Sequence, residues 1–156
     1  MEDYGALLEE LLRQEQELQF SQFSNDDALR LGTRLVERAQ AQTKPATVDI
    51  CRNGQQLFHA ALPGTSADND AWIRRKNNVV NRYGHSSFFV GTQFRAKGTT
   101  FEQSSRLDPD QYAAHGGAFP VIVRDVGVIG TVTVSGLPQA EDHALVVSVL
   151  REFLSP

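Results

Sequence analysis

Apolar positions at the start of the chain recur at helical rather than alternating intervals. Leu7, Leu8, Leu11, Leu12 and Leu18 fall mostly on one stripe, with Glu9, Glu10, Arg13 and Glu17 off it. This predicts a docked surface helix from about Ala6. A second helix begins near Asn25: Ser24 or Asn25 can cap it, Asp26 and Asp27 follow, and Ala28, Leu31, Leu35, Val36 and Ala39 keep helical spacing. It should stop before Pro45. The pattern then changes to strand. In "TVDICRNGQQLFHAAL", Asn53-Gly54 sits between β-branched and aromatic residues, a strong hairpin signal because both turn positions need positive φ. Pairing outward from the turn sets Arg52 opposite Gln55, Ile50 opposite Leu57 and Val48 opposite His59, with Asp49 and Phe58 on the other face.

Helical spacing returns after the loop "PGTSADND". Asn69 or Asp70 can cap a helix with Trp72, Ile73, the Lys76 stem, Val79, Val80 and Tyr83 inside and Arg74, Arg75, Asn78 and Arg82 outside. Gly84 and His85 break it. "SSFFVGTQFRAK" suits a helix capped by Ser86 or a strand, and helix is favoured; "LDPDQY" signals a short turn with Asp108 as cap. A second hairpin, "FPVIV" and "VGVIGTVTV", joins through Arg124 to Gly127. Its second strand has Val128, Val132 and Val134 on one face and Ile129, Thr131 and Thr133 on the other. "LPQAEDHALVVSVLREFL" closes as a helix with Ala140, Ala144, Val147, Leu150 and Leu154 near its inner stripe. Helices flanking two hairpins argue an α+β domain, an antiparallel sheet covered by helices. A chain of 156 residues is about one domain long, so residues 1–156 are read as a single domain.

Composition narrows the function. No apolar run approaches the roughly 20 residues of a membrane span. The start, Met1 to Tyr4, is acidic and lacks the basic segment and apolar core of a secretory signal, which points to the cytoplasm. Cys51 is the only cysteine, so an internal disulfide and a cysteine zinc site within one chain are excluded. Fifteen Lys and Arg against 19 Asp and Glu leave a formal charge of -4, with no general attraction to a phosphate backbone. Neither nucleic acid nor membrane is an expected partner.

The segments "NDDALRLG", "DICRNGQQLFHAALPGTSADNDAWIRRKNNVVNRYGHSS", "YAAHGGAFPV" and "GVIGTVTVSGLPQAEDHALV" resemble a family of uncharacterised bacterial and fungal proteins. That family is allied to the haem-degrading-domain superfamily, the GlcG/HbpS-like proteins. The wider link rests on Gly116-Gly117, Pro120, Gly130, Val134-Ser135-Gly136 and Asp142. The resemblance implies a profilin-like α/β/α sandwich around a central antiparallel sheet of about five strands flanked by helices. It also implies a homo-oligomer built from dimers. Some wider relatives bind or help degrade haem, which makes haem the candidate cofactor. No haem-ligand motif of those relatives maps onto matching positions here.

Four histidines carry the candidate chemistry: His59, His85, His115 and His143, none in a recognised metal spacing. His59, on an apolar hairpin face, and His143, inside the last helix, read as structural. His85 and His115 sit at chain breaks beside glycine, where loops carry function more often than element interiors do. If they converge with Arg74 or Arg75 nearby, they form a pocket for an anionic planar or carboxylate ligand, since imidazole can ligate iron or move a proton and guanidinium can hold carboxylates. Gly116 and Gly117 would form its mouth. Ser135 and Gly136, before the last helix, can expose N–H groups to an anion or merely cap the helix. Ser135 lies outside a G-x-S-x-G elbow, and the glycines form neither a P-loop nor a dinucleotide fingerprint. Cys51, two residues from Asp49, should carry a raised pKa and an inert thiol.

These observations support, first, a cytoplasmic, homo-oligomeric protein that binds a small anionic ligand or a partner. The second reading is a haem-binding or haem-degrading protein. The third is a metal-assisted small-molecule enzyme using His85 and His115.

Overall fold

A computed structural model describes residues 3–156, so Met1 and Glu2 of the acidic start lie outside the described residues. Helix α1 (Tyr4–Glu17) starts where the Asp3 carboxylate accepts the Ala6 N–H at 3.0 Å. Helix α2 (Asn25–Ala41) starts at a capping box in which Ser24 and Asp27 satisfy each other's backbone N–H. It ends before Pro45, as the pattern predicts. Strands β1 (Thr47–Arg52) and β2 (Gln55–Ala61) form the first hairpin, with Asn53 at φ 50° and Gly54 at φ 83° in its turn. Helix α3 (Ala67–Tyr83) is capped three residues ahead of Asn69, the earlier of the two predicted caps, Asn69 and Asp70. Ser66 is the cap, and the Asn69 side chain closes the box by accepting the Ser66 N–H. Helix α4 (Ser87–Ala96) is capped by Ser86, and a short α5 (Phe101–Ser105) by Thr100. Strands β3 (Ala118–Val123) and β4 (Gly127–Ser135) and helix α6 (Gln139–Leu154) complete the order.

The four strands form one antiparallel sheet in the order β2-β1-β4-β3. This is one strand fewer than the resemblance implies. At the outer edge of β3 the chain contributes only a parallel bridge between Phe20 and Val123, because it turns into the α2 cap at Ser24 four residues later. Helices α2 and α6 cover one face of the sheet and α3 the other, with α4 beside α3 and α1 laid on α4. The main core lies under α2 and α6. Val48, Ile50, Phe119, Val121, Val132 and Val134 of the strands are fully buried there against Leu31, Leu35, Val146 and Leu150.

The first hairpin departs from its predicted register. Arg52 does pair with Gln55, but Leu57 is an extra residue: Cys51 faces Gln56, Ile50 faces Phe58, and Asp49 faces His59. A bulge of one residue exchanges the faces of everything beyond it. The exchange favours Phe58, whose ring lies over Gly32 of α2 where any side chain would collide with it. It moves His59 off the apolar face and beside the Asp49 carboxylate. In α6, Ala140 and Ala144 are exposed rather than inner, and the buried stripe runs through Asp142, Leu145, Val146, Val149 and Leu150.

Candidate functional site

Beneath α3 the sheet is polar. Thr47, Asp49, Cys51, Thr131, Thr133 and Ser135 alternate with the core residues, and all but the half-buried Cys51 are buried. Asp49 accepts from Cys51 Sγ at 3.2 Å, Gln56 Nε2 at 2.6 Å, His59 Nδ1 at 3.0 Å and Asn77 Nδ2 at 3.4 Å. The other ring nitrogen of His59 lies 3.0 Å from Asp70 Oδ1 on α3. Burial, with Asp49 adding to it, pushes the Cys51 thiol up to about 12, so it is not a nucleophile at neutral pH.

Midway along α3, Lys76 is 3% exposed and its ammonium donates to Gly116 O at 2.9 Å, Val134 O at 3.0 Å and Asp142 Oδ2 at 3.2 Å. Those three acceptors use its three protons. Asp142 also accepts the Leu137 N–H at 2.9 Å, which fixes the turn into α6. Burial drives both partners toward their neutral forms, raising Asp142 to about 6 and lowering Lys76, against their mutual attraction. The glycine pair serves this cluster. A side chain at Gly116 would collide with Gln139 O, and one at Gly117, where φ is 135°, with Val134 O and the ammonium.

His115 stands just outside. It lines a cavity of about 330 Å³ together with Asn69, Trp72, Ser135, Gly136 and Gln139, and Lys76 and Asp142 lie at its back. Its ring meets Trp72 edge-on at 5.2 Å, and neither nitrogen has a hydrogen-bond partner among the described residues. Burial holds the imidazole below its ordinary 6.5, with Lys76, Arg95 and Arg75 adding to the effect against the pull of Glu102. A neutral imidazole offers one donor and one acceptor. Its neighbours are partly spent: Ser135 Oγ accepts from Asn69 Nδ2 at 3.2 Å, and Gln139 Oε1 accepts the Gly116 N–H at 3.0 Å.

The structure therefore gathers His115, Gly116, Ser135 and Gly136 at one cavity. It leaves four predicted members elsewhere, of which Gly117 is not part of that lining and instead packs against the Lys76 ammonium and Val134 O. His85 is not part of that lining: its Nδ1 meets Glu15 Oε1 at 2.7 Å, and the same carboxylate accepts the Ser86 N–H at 3.2 Å, so His85 helps clasp α1 to the start of α4. Burial raises the Glu15 pKa despite these contacts. Arg74 and Arg75 line a different cavity beyond Trp72, the Arg75 guanidinium lying 4.1 Å from the Trp72 ring. The expected convergence of His85, His115 and the arginines on one anion does not occur. The reason is helical phase: Arg74 and Arg75 point away from the side of α3 that carries Lys76. Among the described residues no group of three or more His, Cys, Asp or Glu is placed to hold a metal ion.

His143, structural by its place inside α6, has a further feature. It is 4% exposed between Phe88 and Phe119, and its Nε2 lies 2.7 Å from Gln14 Oε1. Gln14 Nε2 donates to Glu10 at 3.4 Å, which orients the amide so that His143 Nε2 carries the proton and Nδ1 the lone pair. That lone pair is buried without a partner, and burial lowers the imidazole to about 4. The residue borders an apolar groove of about 670 Å³ between α1 and α6, lined by Leu7, Leu11, Phe88, Ala144 and Val147.

A helix-covered antiparallel sheet of this order defines a profilin-like α+β domain. The chain belongs to the family described as haem degrading protein HbpS-like, which matches residues 23–151. It is 65% identical over 145 residues to a UPF0303 protein of Streptomyces coelicolor, covering 93% of this chain and 92% of that one. A UPF0303 protein of Psychromonas ingrahamii is 43% identical over 153 residues, covering 98% and 95%. Among solved structures, the Ybr137w protein is similar with a TM-score of 0.87 and 38% identity, over 94% of this chain and 87% of that one. The PduOC:heme complex shares the fold with a TM-score of 0.69 at 20% identity, over 83% and 93%.

Proposed function

We propose that the protein binds a small polar ligand in the His115 cavity and performs no chemistry on it. The observation that carries this reading is the His115 imidazole, half-buried and neutral, with both nitrogens unspent beside Trp72. Most polar groups around it already have partners, so a ligand gains hydrogen bonds there without breaking the fold. The net charge of the lining also revises the ligand class. With Lys76 and Asp142 paired and Asp68 at the edge, the cavity favours a neutral heteroaromatic or amide over the anion first expected. Titration of Trp72 fluorescence with nicotinamide and nicotinate tests it. Saturable quenching, lost in His115→Ala and kept in His85→Ala, is the expected result; quenching unaffected by His115→Ala would remove the site.

Haem is the second reading, supported by the family description and by the α1–α6 groove. The groove is apolar and twice the volume of the His115 cavity, and the orphaned Nδ1 of His143 is a suitable donor for iron. Bound there, haem would supply an iron centre held by His143 between α1 and α6. Because Nδ1 is covered by protein, the groove must open first. A saturable Soret shift with haemin, lost in His143→Leu, supports this reading, and a shift without defined stoichiometry opposes it. Self-association into a homo-oligomer and a reducing, cytoplasmic setting belong to the same proposal. They rest on the family resemblance and the single thiol, and a monomer mass in sedimentation at micromolar concentration would remove the first.

A further inference from the structure

Strand β2 ends the sheet, and its outer edge is open. The Leu62 N–H reaches inward to Ala46 O at 3.0 Å, so alternation turns the N–H and C=O groups of His59 and Ala61 outward, where they have no partner among the described residues. Open edges are ordinarily protected by lysine, proline or a covering loop, yet the seven residues of β2 include no Lys, Arg, Asp, Glu or Pro. The helix above is bare of charge on the same side. Arg34 lies over Phe153 and Arg38 reaches Ser148 and Glu152, so one flank of α2 faces α6. The opposite flank carries Leu29, Thr33, Val36 and Gln40 at helical spacing, out over β2. Leu29 is 57% exposed, and Val36, Leu57, Phe58 and Leu62 are half-buried.

We propose that a second copy of the chain docks on this edge: β2 pairs antiparallel with β2 of that copy across a two-fold axis at Ala60, and the four-stranded sheet becomes continuous with its counterpart. The inference rests on the self-association reading and adds the surface to it. A register centred on Ala60 sets His59 of each copy opposite Ala61 of the other, which satisfies every outward N–H and C=O of both residues. It also sets Phe58 beside Leu62 of the second copy and Ala60 against its own counterpart, where small side chains allow close approach. Centring on His59 would instead oppose two imidazoles. The helices decide the occupant. A lone peptide strand lies in the plane of the sheet and leaves Leu29 and Val36 bare, whereas a second copy brings its own α2. Gly32 sits at Phe58 and Gln40 beside Leu62, which places Val36, midway between them, at the axis. Neighbouring strands lie about 4.8 Å apart, so two α2 helices, each lying over β1 and β2, come within about 10 Å, the separation at which helices pack.

The test combines sedimentation of the full chain at micromolar concentration with hydrogen exchange of the His59 and Ala61 amides. The parent chain should sediment as a dimer or a multiple of one, with both amides protected until dilution dissociates it. Val36→Lys and Val36→Glu each place like charges together at the axis and should weaken the pairing at least about a hundredfold. Mixed with each other, the two variants should re-form it, which damaged folds would not do. Ala61→Pro removes an outward N–H and no bond to β1, and should weaken the pairing about tenfold with the melting temperature nearly kept. Gln93→Lys, on the exposed side of α4, should change nothing. A monomeric parent chain would remove self-association and this interface with it. An oligomer indifferent to Val36→Lys and Ala61→Pro would leave self-association standing and overturn the interface alone. A monomer whose His59 and Ala61 amides are protected only by an added apolar strand-forming peptide would give the edge to another protein, and overturn the proposal as well.

Discussion

The two faces of β1 and β4 are built from alternate residues of the same strands, yet they hold the protein together differently. Toward α2 and α6, Val48, Ile50, Val132 and Val134 meet only apolar neighbours and need nothing but volume and shape. Toward α3, Asp49, Thr133 and Ser135 meet named partners, Thr133 donating to Asn77 Oδ1 at 2.5 Å, and specific geometry replaces bulk. The apolar face therefore accounts for stability without suggesting a function. The polar face is where a group remains unspent beside a cavity, the His115 imidazole.

The sharpest way to break this contrast is to leave a buried charge alone. Lys76→Ala should cost about 3–5 kcal/mol, because Asp142 and two carbonyls lose their donor. Urea denaturation of Lys76→Met with Asp142→Leu should show a much smaller loss, and an additive loss would mean the pair does not act as a unit. On the apolar face Ile50→Ala should cost about 2–5 kcal/mol.

Acid separates the two behaviours next. His143 is lowered from 6.5 to about 4, so the unfolded chain takes its proton first as pH falls through that window. This contributes a loss of about 3 kcal/mol on acidification. Asp142, raised from 3.8 to about 6, acts in the opposite sense, since the folded chain takes that proton first. Stability measured from pH 7 to 4 should therefore fall less in His143→Leu than in the parent chain. An unchanged slope would show that His143 is not buried in its neutral form. The smallest stability change belongs to His115→Ala, within about 0.5 kcal/mol, with the ligand response in Trp72 fluorescence lost.

Local signals were legible. The Asn53-Gly54 turn, the Ser24 and Ser86 caps and the pairing of Cys51 with Asp49 all follow from neighbours in the chain. The bulge at Leu57 was not, because what selects it is Gly32 on another element, 26 positions from Phe58. The site was half legible for the same reason. Glycines and a histidine at a chain break marked the His115 cavity, and Lys76 was placed on the inner stripe of α3. Nothing in the stripe reveals that the strands opposite are polar on that side, so Trp72, Asn69 and the Lys76–Asp142 pair were missed as parts of the site. His85 misled because a loop histidine bound to a distant Glu15 looks, in sequence, like one facing a ligand.

The extra residue at Leu57 also constrains how this stretch of chain can evolve. Pairing the same residues without the bulge would exchange an aromatic ring and an imidazole, placing Phe58 against Asp49 and His59 over the notch at Gly32. Both errors would arrive in a single step, on opposite sides of the sheet. Deletion of Leu57 itself would leave every pair in place, because the residue removed is the unpaired one. Homologues should accordingly carry either the same count of residues with the bulge or one residue fewer without it.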